Sequence, residues 1–550
     1  MKNALIILNL LFFLHSSAQN TLSATEWQDD LRFIQNTVHK DYSFLFVKTT
    51  KQDFDDQVEA LYNAIPNLKE HEIRVGLARI VSLFKYGHTQ ITYGTTAKSG
   101  MLPINLYHFS DGIYIEGVHK DQKKALGAKV LKIGDTSIDK ALELIYPVVP
   151  VENGQYFKAY GLRFLTSPEV LHAQGVIPEL SETVTFTLEK EGRVFEHVFG
   201  TINIEDKPRA FNFTLPTGEW STARNTGTTP LYLKHLEDKR YYFEYLEDLK
   251  TIYVRQSSVF NDDNETLEQF YDRLFQFIDT NPIEKLVYDV RLNGGGNNYN
   301  NLPLIKGIMA RPKINKKGSF YFIIGRDTFS ACQNLTNEIS RYTEAILVGE
   351  PTSENVNFYG DSKPVVLPNS KITAYLSYLW WQDMPALENA DWTAPSIPVT
   401  MSFDEYTTNQ DPVLEAALNF NAADFEPRPM DYITKLYVTG QTQKLGEELP
   451  KMIQDPRYAF CDFETELNKK GNLLLQSGRA PEVQASVQVF SMIAQLFPNS
   501  AITYKNLGEA YTVLKDTHKA KEVLEKAIAL DTHGKIGKAA REMVLEMDKL

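Results

Sequence analysis

The stretch "SFYFIIGRDTFSACQN", residues 319–334, decides the fold. Phe320 to Ile324 is a run of β-formers and reads as a strand. Gly325-Arg326-Asp327 ends it, a small polar stretch follows, and a helical segment begins near Ser330. A serine at such a strand-to-helix corner has two readings. It caps the helix, the commoner use of this residue type. Or it is a nucleophile, because a helix mouth offers unpaired N–H groups and the positive end of a dipole to an oxyanion.

Strands and helices alternate on both sides of this stretch, from about 240 to 425. "KTIYVRQSSV" reads as a strand, "ETLEQFYDRLFQFIDT" as an amphipathic helix, and "KLVYDVRLN" as a buried strand running into Gly294-Gly295-Gly296. "EAILVGEPT" is a further strand and turn, and "PVVLPNSKITAYLSYLWW" reads as two more strands. The alternation predicts an α/β core with largely parallel strands.

Other segments have different periods. Residues 24–85 read as helices: Trp27, Leu31, Ile34 and Val38 recur at 3.6-like spacing in "TEWQDDLRFIQNTVHKDY". Residues 100–200 read as short strands around one helix. At the C-terminus, 467–500 and 501–534 overlay with a 34-residue period. Tyr504, Leu507, Gly508, Tyr511, Ala520, Leu524 and Ala527 fall where a tetratricopeptide repeat places its packing residues, and Leu473, Phe490, Ile493 and Pro498 fit the first copy. The expected layout is a signal peptide at 1–19, a helical domain at 20–98, a β-rich module at 99–200 and an α/β core at 201–425. A linker at 426–460 and helical repeats at 461–550 complete it.

A chain of 550 residues exceeds one core. Its net charge of −13 argues against nucleic acid or an anionic membrane as main partner. The first residues, "MKNALIILNLLFFLHSSAQN", have a basic start, a short apolar run and a small-residue exit. This is the pattern of a secretory signal, predicting a periplasmic or extracellular protein. No later stretch is long enough to span a bilayer. The two cysteines, Cys332 and Cys461, make no disulfide framework. There is no HExxH and no CxxC, and "NGGGNN" at 293–298 lacks the Lys-Ser/Thr of a phosphate loop. No metal or cofactor is implied.

Six motifs together resemble one family: the tail-specific (C-terminal processing) serine peptidases, in particular their tricorn-like and interphotoreceptor-retinoid-binding-protein-like branch. "GRDTFSACQ" is similar to the nucleophile segment, "VYDVRLNGGG" to the strand and glycine turn, and "LVGEPT" to the strand after the nucleophile helix. "YGDSKPVVLPNSKITAYLSYLWWQ" and "FKYGHTQI" resemble tricorn-like segments, and "GAKVLKIGDTSID" resembles a PDZ-like module. The resemblance spans roughly residues 25–420. It implies a ClpP/crotonase-like α/β catalytic core and peptide or protein substrates, with the PDZ-like module taking an extended peptide by strand addition.

The resemblance also distributes roles. It makes Ser330 the nucleophile. The tail-specific branch places a base lysine where this chain has Asn355, and Asn takes no proton. The tricorn-like branch uses a histidine, matched by His88, whose ordinary pKa of about 6.5 suits a general base. Downstream, "ALENADWTAPSIPV" supplies Glu388 and Asp391, and Glu388 matches the family's carboxylate by its offset from Pro395. The hydroxyl residue that precedes the histidine in that pattern is Gly87 here, and Thr89 follows instead. Thr89 is either part of the tetrad or structural. Backbone N–H groups of Gly295, Gly296 and Ala331 are the implied oxyanion donors, with Asp289 and Arg291 a structural pair beneath the turn. Two rivals to an enzyme remain: a peptide- or ligand-binding scaffold, and a docking protein acting through its helical repeats.

Overall fold

The computed structural model describes residues 22–98, 100–203, 209–385 and 390–549. The segment read as a signal, 1–19, lies outside them, as does Glu388. Six strands form the central sheet, in spatial order Tyr241–Leu246, Thr251–Gln256, Lys285–Asp289, Phe320–Ile324, Ile346–Gly349 and Ile397–Pro398. The first pair is antiparallel and the rest are parallel. Chain order equals spatial order. Right-handed crossovers therefore put the helices Leu267–Thr280, Leu302–Met309 and Ala331–Tyr342 on one face.

Alternation along each strand divides the two faces. Leu286, Tyr288, Phe320, Phe322 and Ile324 pack under those three helices. Val287, Tyr321, Ile323, Ile346 and Val348 pack under the helix Pro412–Asn419, and the C-terminal helices extend the same core beyond it. This explains the unbroken apolar run at 320–324, where all five residues are buried. The helix Leu267–Thr280 follows its sequence closely. Thr266 and Gln269 form a capping box, and Leu267, Phe270, Tyr271, Leu274, Phe275 and Ile278 make the buried stripe.

A second core joins three regions distant in sequence. The helices Ala24–Asp41, Lys51–Ala64 and Glu70–Ser82 pack with a seven-stranded antiparallel sheet. That sheet is ordered Trp220–Thr222, Gly112–His119, Lys129–Ile133, Thr183–Lys190, Arg193–Gly200, with Ile104–Phe109 and Thr136–Ser137 paired alongside. It continues past the expected boundary at 200, because Trp220 pairs opposite His119 and is buried.

The strands Phe358–Val366 and Thr373–Trp381, expected within the α/β core, form a hairpin that leaves it. They make a separate three-stranded sheet with Gln90–Ile91, in register Gln90 to Tyr375 and Ile91 to Ala374. Leu367, Ile372, Ala374 and Leu376 of the hairpin pack in the core of the N-terminal helices, which also hold its turn. The buried Asp30 carboxylate accepts the N–H groups of Asn369 and Ser370, each at 2.7 Å.

The expected linker at 426–460 is largely helical, with Pro429–Val438 and Thr442–Gln454. Ile433, Leu436, Leu445, Leu449 and Met452 are buried in the same core as the central sheet. Five helices follow: Phe463–Gln476, Ala480–Leu496, Ala501–Val513, Thr517–Leu530 and Lys535–Met547. The 34-residue overlay slips in its first copy. Ala480–Leu496 has 17 residues against 14 in Thr517–Leu530. Leu473, expected to pack, is exposed. Gly471 takes the close-packed position against Phe490, as Gly508 does against Leu524. Among the described residues no helix is long and apolar enough to cross a membrane.

Candidate active site

The corner after Phe320–Ile324 is fixed from below. Thr328 donates its hydroxyl to Val290 O at 3.1 Å and accepts the Gly325 N–H. Phe329 N–H donates to Asn293 O at 3.1 Å, and Asn301 Nδ2 donates to Ala331 O at 2.8 Å. These bonds tie the corner to the glycine turn. Ser330 itself has φ +55° and ψ −129°, a region that costs a non-glycine residue about 1–3 kcal/mol. Its hydroxyl does not cap the helix Ala331–Tyr342. Instead Ser330 Oγ lies 3.1 Å from His88 Nε2.

His88 arrives from the other core, 242 residues away in sequence. It stands in a turn closed by Thr89 N–H to Tyr86 O, just before Gln90–Ile91 joins the three-stranded sheet. Its ring stacks on Phe329 at 4.7 Å and lies near-parallel to Phe358 at 6.1 Å. The side chain is 18% exposed. Burial holds its pKa below the ordinary histidine value. The ring is therefore neutral at pH 7, and Nε2 faces Ser330 as an acceptor when the proton sits on Nδ1.

The carboxylate facing Nδ1 is one the sequence reading missed. Glu354 Oε1 lies 3.1 Å from His88 Nδ1, close enough for an ion pair but off hydrogen-bond alignment. Glu354 Oε2 accepts the Ser330 N–H. Glu354 is fully buried, and burial raises its pKa well above the carboxylate range. The signal was its place in "GEPTSEN", directly before the Asn355 that stands where a lysine was expected. A lysine does reach that spot from elsewhere: Lys48 Nζ donates to Asn355 Oδ1 and, at 2.8 Å, to Lys85 O.

The remaining sequence candidates separate. Thr89 turns away from Ser330 and is fully buried. It donates to Ser377 Oγ at 2.9 Å and accepts Ser377 N–H at 3.1 Å, joining Gln90–Ile91 to Thr373–Trp381. Gly87 has no room for a hydroxyl side chain: a Cβ there would meet Tyr156 Cε2 at 2.3 Å and Phe329 Cζ at 2.8 Å. Gly295 N–H is already donated to Asn293 Oδ1 at 2.9 Å. Gly296 and Ala331 N–H groups have no acceptor among the described residues. Gly295 still controls the approach. Its φ is +101°, and a Cβ would come within 2.7 Å of Ser330 Cβ and 2.9 Å of Ala331 N. Asp289 and Arg291 pair at 2.7 Å beneath the turn, with Asp411 on the far side of the guanidinium at 2.8 Å.

Two clusters among the described residues have ligand atoms within 4.8 Å of one another, His88/Glu152/Glu354 and His71/Glu72/His172. In the first, the carboxylates already accept backbone N–H groups. In the second, His71 Nε2 and His172 Nδ1 lie 2.9 Å apart, a mutual hydrogen bond. Cys332 is a buried free thiol whose pKa is raised by burial, and Cys461 is also free.

No family model and no curated protein matches the chain. Several solved structures align with it. Mature CPAF aligns at 12% identity over 70% of this chain and 95% of that one, with a TM-score of 0.43. The photosystem II D1 C-terminal processing protease aligns at 11% identity over 74% and 99%, with a TM-score of 0.33. A protein assigned as an S41 protease from Bacteroides fragilis aligns at 15% identity over 58% and 81%, with a TM-score of 0.27. The solved structures that align with this chain thus include a C-terminal processing protease and a protein assigned as an S41 protease.

Proposed function

We propose that the chain is a serine peptidase acting on peptides or unfolded proteins through an acyl-enzyme. The observation that carries this is the 3.1 Å approach of His88 Nε2 to Ser330 Oγ at a positive-φ strand-to-helix corner. A strained serine that leaves its own helix uncapped and faces a neutral buried imidazole has the geometry of an activated nucleophile.

The steps follow from the atoms. His88 Nε2 takes the hydroxyl proton as Ser330 Oγ bonds to the substrate carbonyl carbon. Glu354, beside Nδ1, orients the ring; burial favours its protonated form at rest, so it acts by position and not by a standing charge. The oxyanion takes the unengaged N–H groups of Gly296 and Ala331, at a helix mouth where the dipole favours negative charge. The C–N bond then breaks, and His88 returns its proton to the leaving amine. Water bonds to the acyl carbon as His88 takes its proton; the bond from that carbon to Ser330 Oγ then breaks, the carboxylic product leaves, and His88 returns the proton to Oγ. In this reading Glu354 takes the place assigned to Glu388, and Thr89 is structural.

The apolar N-terminal segment supports export to the periplasm or the extracellular space. The sheet at 104–222 is read as the PDZ-like module that takes an extended peptide, and the C-terminal helices as tetratricopeptide-like repeats that dock a protein partner. The test is hydrolysis of unfolded protein by the purified chain and by Ser330→Ala. Loss of all turnover with an unchanged melting curve is expected. Turnover surviving Ser330→Ala would sink the assignment.

A further inference from the structure

The two catalytic segments come from different cores, so something must hold His88 and Glu354 in register. One buried side chain, Glu152, hydrogen-bonds both segments. Glu152 Oε1 accepts Gly87 N–H at 2.7 Å, one residue before His88. Glu152 Oε2 accepts Asn355 N–H at 3.1 Å, one residue after Glu354. Its neighbour Asn153 donates to Thr352 O at 3.2 Å and to Asp391 O at 2.6 Å, while its Oδ1 accepts the N–H groups of Gln155 and Tyr156. Residues 152 and 153 therefore grip the His88 turn, the Glu354 segment and the loop at 390–393 together.

A carboxylate buried in this way is unfavourable unless it is hydrogen-bonded and charge-balanced. The first holds and the second holds in part, since burial outweighs the nearby positive charge and pushes the Glu152 pKa up to about 7. Two N–H groups point at its two oxygens. Lys48, held by Lys85 O and Asn355 Oδ1 and lying over the Tyr86 ring at 4.2 Å, supplies the nearby positive charge. Only a carboxylate offers two acceptors with no donor. A glutamine of the same length would set an NH2 group against one of the two N–H groups.

We propose that Glu152 is a positioning residue for this peptidase, a bridge whose two oxygens set the distance between His88 and Glu354 and so hold the imidazole on Ser330. The inference rests on the reading of Ser330 and His88 given above. It assigns Glu152 no contact with substrate.

The experiment compares Glu152→Gln with the parent chain, well below the melting temperature of both. A misplacement near 1 Å lowers turnover on the order of 10²-fold. The expected result is that loss in kcat, with KM unchanged within about twofold of the parent, the pattern of lost orientation rather than lost binding. A kcat within about threefold of the parent would overturn the proposal. A second readout needs no turnover. In Ser330→Ala protein, the His88 ring signals, assigned by His88→Asn, are expected to shift on adding Glu152→Gln, and unmoved signals would count against the bridge. Should Glu152→Gln not fold, amide exchange in the parent chain decides: slow exchange at Gly87 and Asn355 is expected, and exchange at the rate of an open loop would overturn it. Turnover surviving Ser330→Ala would refute the peptidase reading, while these NMR and exchange results would still report on the bridge.

Discussion

At the scale of residues, three groups carry the proposed chemistry, and their environments set the pH dependence expected of it. His88 acts only as the neutral ring, and burial lowers its pKa. The acid limb of kcat/KM is therefore expected below pH 6.5, and a limb centred above pH 7 would contradict the assignment. Protonation also links to folding. Below pH 6.5 the unfolded chain binds the proton that folded His88 resists, so His88 lowers stability as pH falls. Glu354→Gln replaces the carboxyl group beside His88 Nδ1 and opposes an NH2 group to the Ser330 N–H or the His88 ring. Its expected loss in kcat is about 10³- to 10⁴-fold, the scale seen when a triad carboxylate becomes an amide. Steady-state kinetics would check it, and a loss under tenfold would return the role to Glu388. Ser330 and His88, which the fold brings to 3.1 Å, were legible as candidates because each stood in a recognisable motif. Glu354 was not, because its proposed role comes from the fold of a turn, whereas sequence offset pointed to Glu388, which lies outside the described residues.

At the scale of elements, the glycine turn and the short sheet beside His88 are the parts that position the site. Gly295 combines φ +101° with a Cβ position 2.7 Å from Ser330 Cβ and 2.8 Å from Phe329 O. Gly295→Ala must push the nucleophile corner away, and a fall in kcat of at least about 10²-fold is expected. Thr89→Val tests the opposite kind of residue. It leaves Ser377 N–H and hydroxyl without their buried partner, costing about 1–3 kcal/mol in denaturant unfolding, with the pH profile of kcat/KM unchanged. A changed profile would restore Thr89 to the catalytic set. The parallel strands were legible because strands covered on both faces are continuous apolar runs. The departure of the hairpin 358–381 was not. Its strands look like any others in sequence, and what holds them is the core of the N-terminal helices together with Asp30, more than 300 residues away along the chain.

At the scale of the whole molecule, the proposed catalysis depends on two cores meeting at one serine, and the core on the second face of the central sheet extends through the helix Pro412–Asn419 into the C-terminal helices. Val287, Tyr321 and Ile323 share a core with Leu449, Phe463, Leu467 and Phe490. A chain ending at residue 460 is expected to melt at lower temperature and to bind a hydrophobic dye, and an unchanged melting curve would show the helices to be an independent attachment. The sequence placed helices at the C-terminus but misread 426–460 as a linker, since two prolines suggested a break where Pro429 in fact starts a helix. The most direct test of the central claim is fluorophosphonate labelling of the full chain, with the adduct located by mass spectrometry. The account predicts one adduct, on Ser330, absent from Ser330→Ala and strongly reduced in His88→Ala. A chain that takes no label, or takes it on another residue, would contradict it.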